Sequence, residues 1–475
     1  MSALTNDEEA PLLTKKPPTP LPWRQLLIIL FLQLAEPLTS QVISPFTPQL
    51  IRDIGITNGD ESKVGYYVGL MQSLFFLTQA FTVLHWSRLS DHIGRKPVIL
   101  IGLLGLSISM FAFGLSKTFW SLVLSRALNG ALNGNIGVIK SMMAEVTDPS
   151  NIALAYSYMP ISWSTGSTVG PMIGGSLSHP AKQFPRLFGS FLFLKEYPYF
   201  LPCAIPATFS VIVWFVTYFY LEETLPYPKP ILEYLGFHRR SSVKNTTPSA
   251  TPPPQNNPPP LRSVLTKRVL LSAGNYATLS LMDIAFRSIQ PLYLSTPITL
   301  GGLGFSPARI GLILSITGIL NGIFQVAFFA RIHNRFGSKR TFLVGVMSGF
   351  PAVLSLPVAN YYARVDGGLS NRVWAILWVQ VAVSVLTGLS YGSVFIFLTS
   401  AAPRSSLGAV NGLSQMTVSI VRAIGPSVAN SMFSLSMEEP LPVIGANLVY
   451  VVLVGIVIMA TAAGSLLPAR AWNHD

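Results

Sequence analysis

The chain has 475 residues, of which 50% are hydrophobic and 11% are charged, and its mean hydropathy is +0.49. Soluble domains carry about 25% charged residues, so this composition excludes an ordinary soluble enzyme and indicates a membrane protein. The net charge of +13 would suggest a nucleic-acid partner in a soluble chain, but here the placement of the basic loops explains it.

The N-terminal segment 1–23 is acidic and then rich in proline, and we expect a disordered cytosolic tail there. Apolar runs long enough to span a bilayer follow it in two groups of six. The first group lies at 26–43, 66–84, 98–116, 120–143, 156–177 and 200–220. The second group lies at 269–293, 310–329, 341–358, 373–400, 407–433 and 448–467.

Between the two groups, segment 222–264 is polar, basic and rich in proline, so it cannot bury a core and reads as a linker. The sequence therefore predicts an all-α membrane protein with six-helix bundles at 24–221 and 265–468 and a short tail at 469–475. Most Lys and Arg residues fall on the side of the termini, which places both termini and the linker in the cytosol. The bilayer is the expected partner, and no nucleic-acid partner is needed.

The first span contains an acid. Glu36 lies twelve residues after Arg24, about 18 Å along a helix, which puts it near the middle of the bilayer. Burial disfavours the charged form of a carboxyl group, so Glu36 is a candidate for proton exchange or solute binding, with a structural ion pair as the alternative. Pro37 directly after it predicts a local break in the helix.

The loop after span 2 combines Asp91, Gly94, Arg95 and Lys96 in one predicted short turn. A related loop after span 8 carries Gly337 at the position of Gly94, which indicates a duplicated six-helix unit. Asp91 can cap a helix N-terminus while the two cations pair with acids across the seam between the halves. The alternative is a solvated basic turn.

Spans 4 and 5 carry two further signals. Arg126 lies inside span 4, where an unpaired arginine costs several kcal/mol, and topology makes Glu36 the nearest candidate partner. A functional role and a structural pair both remain open for it. Span 5 has small residues and a proline at regular spacing, which give a smooth face and a bend; these are Gly166, Gly170, Pro171, Gly174 and Gly175. Ordinary tight packing is the alternative for this set.

The second half adds three intramembrane charges, which are functional candidates by default. Asp283 and Arg287 are four residues apart and can neutralise each other on one helix face, while Arg422 lies in span 11. Polar and aromatic candidates for lining a solute cavity are equally plausible as interhelix contacts; they are Gln72, Trp163, Tyr276, Asn321, Gln325 and Gln415.

These motifs resemble those of the major facilitator superfamily. Its loop pattern Gly-x-Leu-x-Asp-Arg-x-Gly-Arg-Lys is matched from Leu89 to Lys96, except that Ser87 replaces the first glycine and His92 an arginine. The resemblance implies two pseudo-symmetric six-helix bundles and a loop that latches the halves on the cytosolic side. It also implies a role in proton transfer for the span-4 arginine.

The span-5 set matches the Gly-x-x-x-Gly-Pro-x-x-Gly-Gly motif of the drug:proton antiporter branch, which implies antiport. Longer stretches, such as 34–37, 197–203 and 422–426, are similar to a fungal group of facilitators related to the plant zinc-induced-facilitator-like proteins. That resemblance implies export of a drug, toxin or secondary metabolite at the plasma membrane or a vacuolar or endosomal membrane.

Other function classes fit less well. The single cysteine and six scattered histidines offer neither a disulfide nor a metal cluster, and the absence of a Gly-Lys dipeptide removes a phosphate-binding loop. We therefore expect no cofactor, no metal and no enzyme activity. The sequence predicts a monomeric secondary transporter that exports a small organic solute by alternating access, in exchange for protons. An uncoupled or symporting carrier of the same fold and a non-transporting solute sensor are the alternatives.

Overall fold

The computed structural model describes residues 19–148, 151–225, 265–401, 407–438 and 447–472. Most of the predicted tail and linker, including residues 1–18 and 226–264, lies outside the described residues. The first half contains α1 (Trp23–Gln41), α2 (Thr47–Ile54), α3 (Val64–Ile93), α4 (Arg95–Gly114), α5 (Phe119–Leu132), α6 (Asn135–Val146), α7 (Ile152–Leu177), α8 (Pro180–Gln183), α9 (Pro185–Phe188), α10 (Leu192–Glu196) and α11 (Phe200–Tyr220). The second half contains α12 (Lys267–Ser295), α13 (Pro307–Phe336), α14 (Ser338–Met347), α15 (Gly349–Val365), α16 (Asn371–Val385), α17 (Gly388–Ser400), α18 (Leu407–Glu438) and α19 (Leu448–Ser465).

The long helices of the described segments account for the twelve predicted spans. Spans 4, 9 and 10 are each built from two consecutive helices, α5 with α6, α14 with α15, and α16 with α17. By length and composition, eight segments of the described chain qualify as membrane spans. The four remaining passes are α1, the α5 and α6 pair, α7 and α18. The charges Glu36 and Arg422 lower the average hydropathy of α1 and α18, whereas α5 and α6, with 14 and 12 residues, are each too short to span the bilayer alone.

Two local expectations are wrong. The helix α1 nevertheless continues through Pro37 to Gln41. Proline has no N–H to donate to the carbonyl four residues earlier, but α7 packs directly against it, since a Cβ at Gly166 would lie 2.7 Å from the Pro37 Cβ, and neighbouring helices allow proline within membrane helices. Span 4 is interrupted at Asn133 and Gly134 instead. A Cβ at Gly134 would lie 2.3 Å from Trp86, so the break allows this close approach.

The core shows how the two halves meet. We call the end where α1 begins and α19 ends the termini side, and the opposite end the far side. On the far side one hydrophobic cluster joins both halves, with Phe46 and Met71 of the first half packed in the same cluster as Leu292 and Phe433 of the second. On the termini side each half has a separate cluster. The halves are therefore closed against each other on the far side.

Candidate functional site

The glycine motif of α7 lets this helix pack closely against two others, α1 in the first half and α13 in the second half. Gly166, Gly170 and Gly174 face α1, where a Cβ would lie 1.8–3.1 Å from the nearest atom. Gly175 faces α13, and a Cβ there would lie 2.9 Å from the Gly311 Cα. Pro171 faces the same helix, because a Cβ at Gly311 would lie 2.4 Å from its carbonyl oxygen. The structure thus uses these small residues for close packing, including packing across the seam.

Most of the motif at 87–96 is helical, and its Arg95 forms ion pairs within the first half. Residues 87–93 belong to the end of α3, and only Gly94, at φ +106°, makes the turn. Arg95 donates to Asp91 from Nη1 and to Glu145 from Nη2 at 2.8 Å. The expected pairing of Arg95 across the seam is therefore wrong for this conformation, because its described partners lie on α3 and α6.

Glu223, just after α11, supplies the cap that was expected from Asp91. Its carboxylate accepts the backbone N–H groups of Arg95 and Lys96 at 2.9 and 3.0 Å, which satisfies the open N-terminus of α4. A Cβ at Gly94 would lie 2.5 Å from the same carboxylate. Sequence reasoning missed Glu223, although an acid directly after span 6 on the same side of the membrane was a usable signal.

Glu36 lies half-buried on α1 and faces polar groups from both halves. Its electrostatic neighbours are Asn133, Lys140 on α6 and Arg422 on α18. Sequence reasoning missed Lys140, although it falls inside the predicted fourth span. One carboxylate therefore has a cation from each half of the molecule as a neighbour.

Arg126 does not pair with Glu36 as expected. Only 5% of its surface is exposed, and its guanidinium lies over the Phe75 ring with 4.6 Å between the guanidinium carbon and the ring centroid. Among the described residues no acid lies within salt-bridge distance, and its Nε and Nη1 have no hydrogen-bond partner. The partner that replaces a salt bridge is an aromatic face.

The second half contributes a hydrogen-bonded ion pair. Arg287 Nε contacts Asp283 Oδ1 at 2.7 Å, as the four-residue spacing predicts. Tyr391 on α17 donates to the other oxygen of Asp283 at 2.9 Å. Arg422 has Tyr391, Tyr276 and Asp283 among its neighbours, and its Nε is buried without a partner among the described residues. We call the residues around Arg422 the central cluster; they are Glu36, Lys140, Tyr276, Asp283, Arg287, Tyr391 and Arg422 itself.

Some of the predicted cavity residues lie near the central cluster, and others pack between helices. Tyr276 packs edge-on against Tyr391 at 6.4 Å between ring centroids and belongs to the central cluster. Gln415 precedes Arg422 by seven residues, two helical turns, so both lie on one face of α18. Trp163 is 36% exposed and lies two turns from Gly170 on the α1-facing side of α7. Tyr276 and Gln415 therefore share the surroundings or the helix face of Arg422, whereas Trp163 lies on the side of α7 that faces α1 of its own half.

The remaining polar candidates make interhelix contacts. The Gln72 amide oxygen accepts from Ser288, whose hydroxyl accepts from Asn430 at 2.6 Å. This chain joins α3 of the first half to α12 and α18 of the second. Asn321 and Gln325 on α13 both face Gly388, where a Cβ would lie 2.8 and 3.2 Å from their side-chain oxygens.

On the far side, a second polar group ties α2 to the loop before α11. Asp53 accepts from Gln49 Nε2 at 2.8 Å, contacts His179 Nε2 at 3.0 Å and accepts from the Tyr199 hydroxyl. Burial raises the pKa of Asp53, but these hydrogen bonds outweigh it and leave the pKa below its ordinary value of 3.8. Among the described residues no group of acids, histidines and cysteines has metal-binding geometry.

The chain is similar to known proteins both in sequence and in fold. The family model described as Major Facilitator Superfamily matches residues 29–426. The multidrug transporter mfsB of Aspergillus fumigatus is 30% identical, covering 88% of this chain and 79% of that one. ZINC INDUCED FACILITATOR-LIKE 1 of Arabidopsis thaliana is 31% identical, covering 88% and 85%. The crystal structure of a D-xylose-proton symporter superposes with a TM-score of 0.67 at 15% identity, covering 94% and 98%, which shows a shared fold.

Proposed function

Because this chain belongs to the major facilitator superfamily and is a membrane transporter of small solutes rather than an enzyme, we propose that it exports an organic solute by alternating access in exchange for protons. The multidrug transporter and the efflux pump among its relatives support export. The joined far-side core and the separate termini-side cores support a conformation open toward the termini. With both termini in the cytosol, that conformation faces inward.

The observation that carries proton coupling is that Glu36 has Lys140 and Arg422 as charged neighbours, with neither cation within salt-bridge distance of its carboxylate. In the empty transporter these two cations balance the carboxylate. A cationic or polar solute that contacts Glu36 takes their place, whereas a proton removes the charge that attracts the solute. Solute and proton then exclude each other at one carboxylate, and this linkage couples solute export to proton entry.

Asp283 is the second acid in the same region. Its pairing with Arg287 and Tyr391 leaves it fewer free lone pairs than Glu36, so we assign it the supporting role of orienting Arg422. Arg126 keeps the proton-transfer role that the family resemblance implies. The six-helix halves, the linker between them and the monomeric state are part of the same proposal.

One observation favours a rival. Two cations face a single acid at Glu36, so an anionic solute bound by Lys140 and Arg422 would favour a protonated Glu36 rather than compete with it. Proton and solute would then move together, which is symport. The sign of the proton movement separates the two functions.

The test measures internal pH in proteoliposomes loaded with a pH-sensitive dye. Vesicles with wild type, Glu36→Gln or Glu196→Gln are challenged with organic cations, amines, carboxylates and fungal metabolites. Glu196 is a far-side acid paired with Lys117, so its variant is the matched control. We expect solute entry to drive protons out in wild type and the control, and this proton movement to be lost in Glu36→Gln.

Other outcomes contradict the proposal in distinct ways. Proton movement in the same direction as an anionic solute establishes symport. Solute flux with no pH change in wild type establishes an uncoupled carrier. Antiport that survives Glu36→Gln moves the coupling role to another acid, with Asp283 the next to replace.

A further inference from the structure

The segment between α7 and α11 exposes an unusual amount of apolar surface. It contains the short helices α8, α9 and α10, and Leu187, Phe191 and Leu192 are 67%, 56% and 75% exposed. Phe184 and Phe193 are also exposed, at 38% and 45%. A loop that met only water would bury such side chains, because clustered exposed apolar groups mark an interaction surface.

The base of this segment is fixed to the protein. His179 N–H donates to the Pro198 carbonyl at 3.0 Å, which ties its two ends together. Gln183 Nε2 donates to the Ser178 carbonyl at 2.8 Å. Asp53 of α2 holds His179 at one end and Tyr199 at the other. The apolar side chains therefore project from an anchored structure.

The segment continues the outer surface of two spans. The Phe193 ring lies 5.0 Å from that of Phe200 on α11, which lies 6.3 Å from that of Phe111 on α4. The same two helices expose Ile108 and Ile212, each at 51%, as expected for side chains that meet lipid. The apolar surface of the segment thus adjoins the surface that faces the bilayer.

The charges of the segment fit a phospholipid surface. Lys182, Arg186 and Lys195 are exposed, and the one acid among them, Glu196, is paired with Lys117. Basic side chains beside aromatic and aliphatic groups are typical of protein segments at a membrane interface, where cations meet lipid phosphates.

We propose that residues 180–197 lie in the bilayer interface on the far side, with their apolar side chains among the lipid chains and Lys182 and Arg186 at the phosphates. The segment then anchors the far end of α7 to the membrane. Because α7 packs against α13 of the other half, this end of the molecule stays fixed to the leaflet while the halves move. The proposal does not depend on proton coupling.

The test uses the single cysteine of the chain. Cys203 is fully buried, and Cys203→Ser provides a background without thiols. Leu192→Cys is labelled with an environment-sensitive fluorophore and reconstituted into phosphatidylcholine vesicles, with or without phosphatidylglycerol and with nitroxide-labelled lipids. Leu187→Cys repeats the measurement one helix earlier. Ile212→Cys on α11 is the lipid-facing control, and Thr299→Cys in the exposed far-side turn is the water-facing control.

We expect blue-shifted emission and nitroxide quenching at positions 192 and 187 close to those at 212. Phosphatidylglycerol should increase the quenching, and Lys182→Gln with Arg186→Gln should abolish that increase. Emission and quenching equal to those at 299 would overturn the proposal. A blue shift without quenching, which grows with the protein-to-lipid ratio, would overturn it in favour of contact between two copies of the chain.

Discussion

At the scale of single residues, Gly94 combines backbone strain with a crowded neighbour. Both Gly94 and its counterpart Gly337 have a positive φ, +106° and +78°, with extended ψ, a region that costs other residues about 1–3 kcal/mol. Only at Gly94 would a Cβ meet Glu223, at 2.5 Å, whereas at Gly337 the nearest atom is 3.9 Å away. We expect Gly94→Ala to lower thermal stability in detergent more than Gly337→Ala.

The difference in thermal stability between these two variants measures how much the Glu223 cap stabilises the protein. Displacing Glu223 leaves two N–H groups of α4 unpaired, and loss of a helix cap costs about 1 kcal/mol. Equal decreases in melting temperature would show that the Glu223 carboxylate contributes nothing to the stability of this loop.

Through Asp53, the stability of the folded protein should depend on pH. Its pKa in the folded protein lies below the ordinary value of 3.8, so the folded state favours the charged form. The stabilisation is complete above that value and is lost as pH falls through the lowered pKa. We expect Asp53→Asn to unfold at a lower temperature than wild type near neutral pH, with the gap closing below about pH 3.8. A gap that stays constant as the solution is acidified would contradict this assignment.

At the scale of helices, contact between α7 and α13 closes the far side. A Cβ at Gly175 would lie 2.9 Å from Gly311, so Gly175→Val should keep these helices apart. Ser73 is buried behind the closed far side and accepts a hydrogen bond from Ser427 N–H at 3.0 Å. With Ser73→Cys in the Cys203→Ser background, we expect Gly175→Val to raise labelling by a membrane-impermeant maleimide applied to the far side.

The matched control is Gly455→Val on α19, where nothing lies within 4 Å of the added Cβ. It makes the same chemical change in a span without crowding and should leave labelling at the wild-type rate. If Gly175→Val labels no faster than Gly455→Val, the glycine contact does not hold the far side closed.

Helix existence could be predicted from the sequence, whereas several helix ends could not. The apolar runs predict the twelve spans because each must cross about 30 Å of hydrocarbon. The break between α5 and α6 depends on Trp86, which comes from another helix and meets Gly134. Likewise α1 passes Pro37 without a break, and α7 packs directly against that proline at Gly166. Such contacts are set by packing, which no local pattern encodes.

At the scale of the whole molecule, the candidate site also combines contacts that the local sequence predicts with contacts that depend on packing. The Asp283 and Arg287 pair is a local i, i+4 contact, and the sequence predicts it directly. The neighbours of Glu36 come from α6 and α18, so their identity depends on how two halves of the chain dock. Sequence reasoning therefore placed Glu36 correctly in α1, but it named Arg126 as the neighbouring arginine where the structure has Arg422.

In the proposed alternating-access cycle, the two docked halves must separate during transport. A Cβ at Gly322 of α13 would lie 3.3 Å from the Ser164 Cβ of α7, close to the mean of about 3.8 Å for disulfides. In the Cys203→Ser background, Ser164→Cys with Gly322→Cys should form a disulfide between the halves when oxidised. We expect oxidation to stop solute-evoked flux in proteoliposomes and a reductant to restore it, because the proposed alternating access moves one half against the other.

A cross-link within one half separates this effect from general damage. At Gly345 on α14 a Cβ would lie 2.2 Å from the Ser390 hydroxyl of α17, and both helices belong to the second half. Gly345→Cys with Ser390→Cys, oxidised in the same way, should therefore leave flux unchanged, since in the proposed mechanism each half moves as one body. Full flux through the oxidised pair at 164 and 322 would show that α7 and α13 stay together throughout the cycle, and the opening would then have to occur between α3 and α18.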